Sequence, residues 1–170
     1  ITIMVLELKV PHGASLEDLA PLWPVFLSYV LSFIYIGIYW HNHHHMLHSV
    51  KHVNGAVLWA NSHLLFWLSL TPFTTAWMGE NHFAQVPVAV YGIGLLLNAI
   101  AYTILVRLLI RSHGRDSEFA ARIGSDTKGV LSIALYIAAV GLAFVSTTVS
   151  LVLFFTVAAI WFIPDRRFER

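Results

Sequence analysis

Apolar residues run through this chain in long blocks, and the polar breaks between them mark out its elements. Residues 1–10, "ITIMVLELKV", are an apolar run closed by Pro11 and the turn-rich "PHGASLEDLAP". They read as the outer part of a first membrane span whose other half precedes Ile1. A span of the hydrocarbon core takes roughly 17–25 mostly apolar residues in a helix, and the pattern predicts five more. These cover about 22–48, 54–77, 86–110, 129–146 and 148–163. "SVKHVN" and "MGENHFAQ" are short turns, and residues 111–127, "RSHGRDSEFAARIGSDT", form the one clearly polar linker. "STT" at 146–148 separates the last two spans, and residues 164–170, "PDRRFER", are a polar tail. The predicted fold is all-α, one six-span polytopic subunit over 1–170 with its first helix incomplete.

Composition agrees with the pattern. The 170 residues are 58% hydrophobic and 11% charged, against about 25% charged in soluble domains. A net charge of +1 gives no reason to expect a nucleic-acid partner. The absence of cysteine excludes disulfides, thiolate metal sites and cysteine nucleophiles.

Charge also sets the orientation. With six spans, one membrane face receives Lys51, Arg107, Arg111, Arg115, Arg122, Lys128, Arg166, Arg167 and Arg170, nine of the ten basic residues. The other receives Lys9 with Glu7, Glu17, Asp18 and Glu80. The basic face is the cytoplasmic one by the positive-inside rule. Both chain ends and the 111–127 linker are then expected there, and Arg107 and Arg111 are expected to snorkel to phosphates. Trp23, Trp40, Trp77 and Trp161 fall near span ends like an aromatic belt. Gly92, Gly94, Ala99, Ala101, Ala138, Ala139 and Gly141 offer close helix contacts in lipid. Asn61, Ser62, His63 and Asn98 are candidates for interhelical hydrogen bonds.

The conspicuous chemistry is "WHNHHHMLH" at Trp40–His48. His41, His44, His45, His48 and His52 recur at helical spacing and predict one stripe, with His43 pointing elsewhere. Three readings compete. His-x-x-His-His and His48-x-x-x-His52 look like the boxes of membrane di-iron oxygenases and desaturases, since imidazole suits iron. Those enzymes spread ligands over several boxes, whereas the other histidines here stand alone at His12, His63, His82 and His113. Haem b between the second span and His63 is a second reading. The third is a structural, proton-sensitive hydrogen-bond network. An ion-coupled transporter is a further class, but Glu7 is the only carboxylate inside a predicted span.

Several stretches together resemble the prokaryotic branch of the transmembrane protein 175 family, the lysosomal-type potassium channels. "ITIMVLELKVP" is similar to the second half of that family's first helix. "SFIYIGIYWHNHHHMLH" is similar to its second, with Tyr-Trp-x-x-His-His at Tyr39, Trp40, His43 and His44, and "LLFWLSLTPFTTAWMGE" to the end of its third. The family's Phe-Ser-Asp signature would fall before Ile1. The filter sequence Thr-Val-Gly-Tyr-Gly of other potassium channels is absent, and "VYGIG" at 90–94 lies inside a long apolar span.

The resemblance implies a homotetramer in the lipid bilayer, with four first helices around a central pore passing monovalent cations. By position it puts apolar constrictions at Ile3 and Leu6 and a selectivity threonine at Thr2. Trp40, His43 and His44 become the layer that braces the first helix. The residues themselves are compatible, because Ile3 and Leu6, and Thr2 and Leu6, share helix faces and a ring of branched aliphatics closes a narrow pore to water. They are equally compatible with ordinary lipid-facing residues. The expected function is a potassium-selective or weakly selective cation channel in a prokaryotic inner membrane. It is not an enzyme and needs no cofactor or bound metal, with K⁺ only as the permeant ion.

Overall fold

The computed structural model describes Val5, Leu8, and residues 10–11, 13–50, 52–114, 117–123 and 126–162. Regular structure among the described residues is entirely helical. A 3₁₀ turn, Leu16–Leu22, leads into α1, Trp23–His48. Next come α2, Gly55–Ser69, α3, Thr71–Glu80, and α4, Gln85–His113. A short α5, Glu118–Ile123, lies in the polar linker and precedes α6, Thr127–Leu142, and α7, Thr147–Phe162.

Local chemistry explains the boundaries. Pro24 sits in the first turn of α1, where a missing N–H costs nothing. Asn54 caps α2 by accepting from Val57 N at 3.0 Å, and Asp126 caps α6 by accepting from Gly129 N at 3.1 Å. On the opposite side, Ser15 donates its hydroxyl and its N–H to Asp18 Oδ2 at 2.7 and 2.9 Å. Those bonds hold the exposed Asp18 carboxyl below its usual range.

The expected third span is two helices rather than one. It breaks at Leu70, two residues before Pro72. Proline has no N–H to give to the carbonyl four residues earlier, and its ring crowds that turn. α6 is 16 residues long, about 24 Å at 1.5 Å per residue, shorter than the roughly 30 Å hydrocarbon core, and the described part of α7 is Thr147–Phe162.

Consecutive spans run antiparallel. At one end Gln85 Nε2 donates to the Phe144 carbonyl at 3.1 Å. At the other, His52 N donates to His113 Nε2 at 3.4 Å and Lys128 lies 5.9 Å over the Trp161 ring. The described basic side chains Arg111 and Lys128 therefore share an end, and Glu80 lies at the opposite one, as charge alternation requires.

Two apolar clusters form the interior. One joins Leu31 and Tyr35 of α1 to Met78, Tyr91, Leu95, Tyr136, Ala139, Phe154 and Val157. The other joins Met46 to Val57, Ala60, Leu64, Leu105, Leu109 and Phe119. Small residues let backbones approach in the first cluster. A Cβ on Gly92 would meet Phe154 Cζ at 2.7 Å and Val140 Cγ2 at 2.9 Å. Not every small residue serves this way, since Gly141 faces open space.

The outside is apolar as well. Trp59 is 80% exposed and Val145 78%, and Phe73, Ile137, Val152 and Phe162 are exposed with them. Water would not tolerate so continuous an apolar surface, whereas lipid tails would. Trp161 lies at a helix end, as expected, but is turned toward the bundle. It is half-buried, donates Nε1–H to Ser132 Oγ at 2.8 Å and meets the Tyr102 ring edge-on at 6.2 Å.

Candidate functional site

Because buried polar groups in lipid must find partners within the protein, the hydrogen bonds inside the bundle show which helices are fastened together. Ser32 of α1 is fully buried, with its hydroxyl 2.5 Å from Thr75 Oγ1 of α3 and 3.0 Å from the Tyr91 hydroxyl of α4. One serine thus ties three helices. Tyr35 OH donates to the Phe154 carbonyl, and Ser150 Oγ to the Ala139 carbonyl at 2.6 Å, which fastens α7 to α1 and α6. Nothing in the sequence pattern singled out Ser32, Thr75 or Tyr91. Hydroxyl residues are common in membrane helices, and only the facing partner distinguishes a fastener from a bystander.

Toward the other end of α1 the histidines divide. α1 ends at Ser49, whose N–H and hydroxyl both donate to the His45 carbonyl at 3.2 and 3.0 Å. The expected five-histidine stripe therefore stops at His48, and His52 lies beyond the turn facing His113. His43 points to a different side, as its position in the helical repeat predicts. Its Nε2 is 2.6 Å from Asn61 Oδ1 of α2. An amide oxygen only accepts, so the imidazole donates through Nε2–H.

Trp40 and His44 are brought together, but away from His43. Their rings stack at 5.6 Å and 17° on an exposed face, with Trp40 65% exposed. His44 continues to His45 and His48 at ring distances of 5.8 and 6.3 Å, and His41 meets His45 at 4.4 Å. No three His, Asp or Glu side chains among the described residues converge as a metal centre. Thr2, Ile3 and Leu6 lie outside the described residues.

The other polar candidates behave differently from one another. Asn61 makes its interhelical bond. His63 instead accepts from Trp67 Nε1 at 2.8 Å within α2, Ser62 is exposed, and the buried Asn98 Oδ1 has no partner among the described residues. Between α1, α4, α6 and α7, Tyr39, Asn42, Tyr102, Ser132 and Trp161 line a small cavity of about 30 Å³.

The His43–Asn61 bond is the one described side-chain bond from this histidine segment to α2. Interhelical hydrogen bonds in membranes contribute about 1 kcal/mol. His43→Ala and Asn61→Ala are each expected to lower the melting temperature in detergent, with a coupling of about 1 kcal/mol in the double-mutant cycle. Fully additive effects would show that the contact contributes no stability.

Comparison with known proteins places this geometry. The family model for the endosomal/lysosomal potassium channel TMEM175 matches residues 1–72. A potassium channel of Chryseobacterium sp. (strain P1-3) is 54% identical over 170 residues, all of this chain and 88% of that protein. A potassium channel of Streptomyces collinus is 32% identical over 162 residues, 89% of this chain and 79% of that one. The crystal structure of a lysosomal potassium-selective channel TMEM175 homolog from Chamaesiphon minutus superposes with a TM-score of 0.83 at 28% identity. It covers 96% of this chain and 89% of that one.

Proposed function

This chain belongs to the TMEM175 potassium-channel family, and from that premise we propose that it is a homotetramer conducting K⁺ passively along its central axis. The observation that carries the reading is the identity of 54% along its whole length with a potassium channel. Membership sets aside the iron-oxygenase and haem readings of the histidines, because the family consists of potassium channels and not enzymes. Conduction needs no cofactor, and K⁺ enters only as the permeant ion, with selectivity over Na⁺ strong or weak.

Four copies of the first span would surround the pore. Ile3 and Leu6 would form its apolar constrictions and Thr2 would offer hydroxyl oxygens to a partly dehydrated ion. Support comes from the face of α1 left open among the described residues. Trp23, Phe33, Trp40 and His44 are exposed along it, and a Cβ on Gly37 would meet nothing within 4 Å. A helix could lie along that groove with Trp40 and His44 braced against it, while the His43–Asn61 bond holds α1 to α2 from the other side. The membrane is a prokaryotic inner membrane, with the basic end of the bundle in the cytoplasm.

An ion-coupled transporter fits less well. Among the described side chains, Glu80 and Asp126 stand at helix ends rather than mid-span, and coupling commonly uses an intramembrane carboxylate. The test is ion flux. Purified protein in liposomes loaded with KCl should release K⁺ down its gradient without valinomycin, once a proton carrier balances charge. Release at the rate of empty liposomes, in neutral and acidic buffers alike, would count against a channel.

A further inference from the structure

Seven of the described histidines fall into two chemical classes. His43, His63 and His113 have ring nitrogens engaged, with Asn61, with Trp67, and with the Leu109 carbonyl and His52 N–H respectively. His41, His44, His45 and His48 meet one another and Trp40 ring to ring. None of these four makes a side-chain hydrogen bond among the described residues. They form two interleaved pairs at i and i+4, the spacing that puts two imidazoles on one helix face and that binds zinc in the His-x-x-x-His arrangement of other proteins.

We infer that His41 and His45 form a two-imidazole site for a divalent transition-metal ion of the zinc or copper(II) class, distinct from the pore. The two pairs are not equivalent. The His41 and His45 rings are 4.4 Å apart, against 6.3 Å for His44 and His48. His45 is half-buried, so less rotamer freedom is lost on binding, while His44 is held against Trp40. Imidazole nitrogen suits borderline metals and does not suit K⁺, Na⁺ or Mg²⁺, which take oxygen ligands. Among the described residues no third protein ligand converges on the pair, so water completes the coordination and the ion exchanges, unlike a closed structural site. Chelation would join two successive turns at the cytoplasmic end of α1 without any step in conduction.

Zinc chloride titrated calorimetrically into purified, tag-free full-length protein tests the site. One ion per chain is expected, removed by EDTA. Losing even a group that supports a metal ligand costs about 10–100-fold in affinity. His41→Ala and His45→Ala should each weaken binding by about a hundredfold, with His41→Gln as a second variant of similar size. His63→Ala should bind as the parent does. Absence of binding, or binding unchanged by His41 and His45 substitutions, would overturn the site. Loss of binding in His44→Ala and His48→Ala alone would overturn the assignment to His41 and His45. Calorimetry does not depend on ion flux, so this result stands or falls separately from the channel reading.

Discussion

Leu6→Ala is expected to raise K⁺ flux through reconstituted protein by about tenfold and to reduce its preference for K⁺ over Na⁺. Four isobutyl groups meeting on an axis form a constriction that water and a hydrated ion enter poorly, a gating device based on dewetting. In the proposed tetramer, truncation to methyl would widen such a ring in all four subunits at once. Tenfold corresponds to about 1.4 kcal/mol off the barrier, a modest demand on four side chains. Ile3→Ala should act in the same direction, whereas Thr2→Val, which keeps shape and removes the hydroxyl, should change selectivity more than flux. The checking measurement is tracer uptake normalised to protein content, with K⁺ and Na⁺ in parallel. Unchanged flux in both alanine variants would move the constriction away from these residues while leaving the family assignment intact.

Gly79→Leu is expected to be the most damaging single change within the described helices. The Cβ it adds would lie 2.9 Å from Val25 Cα and 3.4 Å from the Pro24 carbonyl, as well as 2.4 Å from Ser28 Oγ. A serine hydroxyl can rotate away, but the backbone of α1 cannot. Moving α3 off α1 would also stretch the Ser32–Thr75 contact. Overpacking commonly costs 1–3 kcal/mol, and the loss of a buried polar contact adds about 1 kcal/mol. A sharply lower melting temperature in detergent, with aggregation on gel filtration, is the expected result. Gly141→Leu is the control, because a Cβ at Gly141 meets nothing within 4 Å. Equal losses in both variants would show that close approach at Gly79 is not what holds α3 to α1.

Much of the architecture was legible in the sequence because lipid imposes it. Apolar length marks the spans, and the alternation of Lys and Arg sorts their ends. What failed was local. Apolar length averages over Pro72, so one span was expected where α2 and α3 meet at Leu70. The stripe through His52 assumed a continuous helix, whereas α1 ends at Ser49. Polar contacts were legible only where the residue type is unusual in a membrane. Asn61 and the histidines stood out, but Ser32, Thr75 and Tyr91 did not, because packing alone decides which hydroxyl faces which. The split of the histidines into His43 with Asn61 and His44 with Trp40 follows from helical spacing once α1 is known to be regular through His48.

Current through a planar bilayer tests the central claim most directly. With purified protein and a tenfold KCl gradient, stepwise unitary currents are expected, with a reversal potential on the K⁺-selective side of zero that approaches the K⁺ equilibrium potential as selectivity increases. Slow current without unitary steps that saturates with ion concentration, or a silent bilayer after fusion of protein shown to be folded, would contradict passive conduction by this protein.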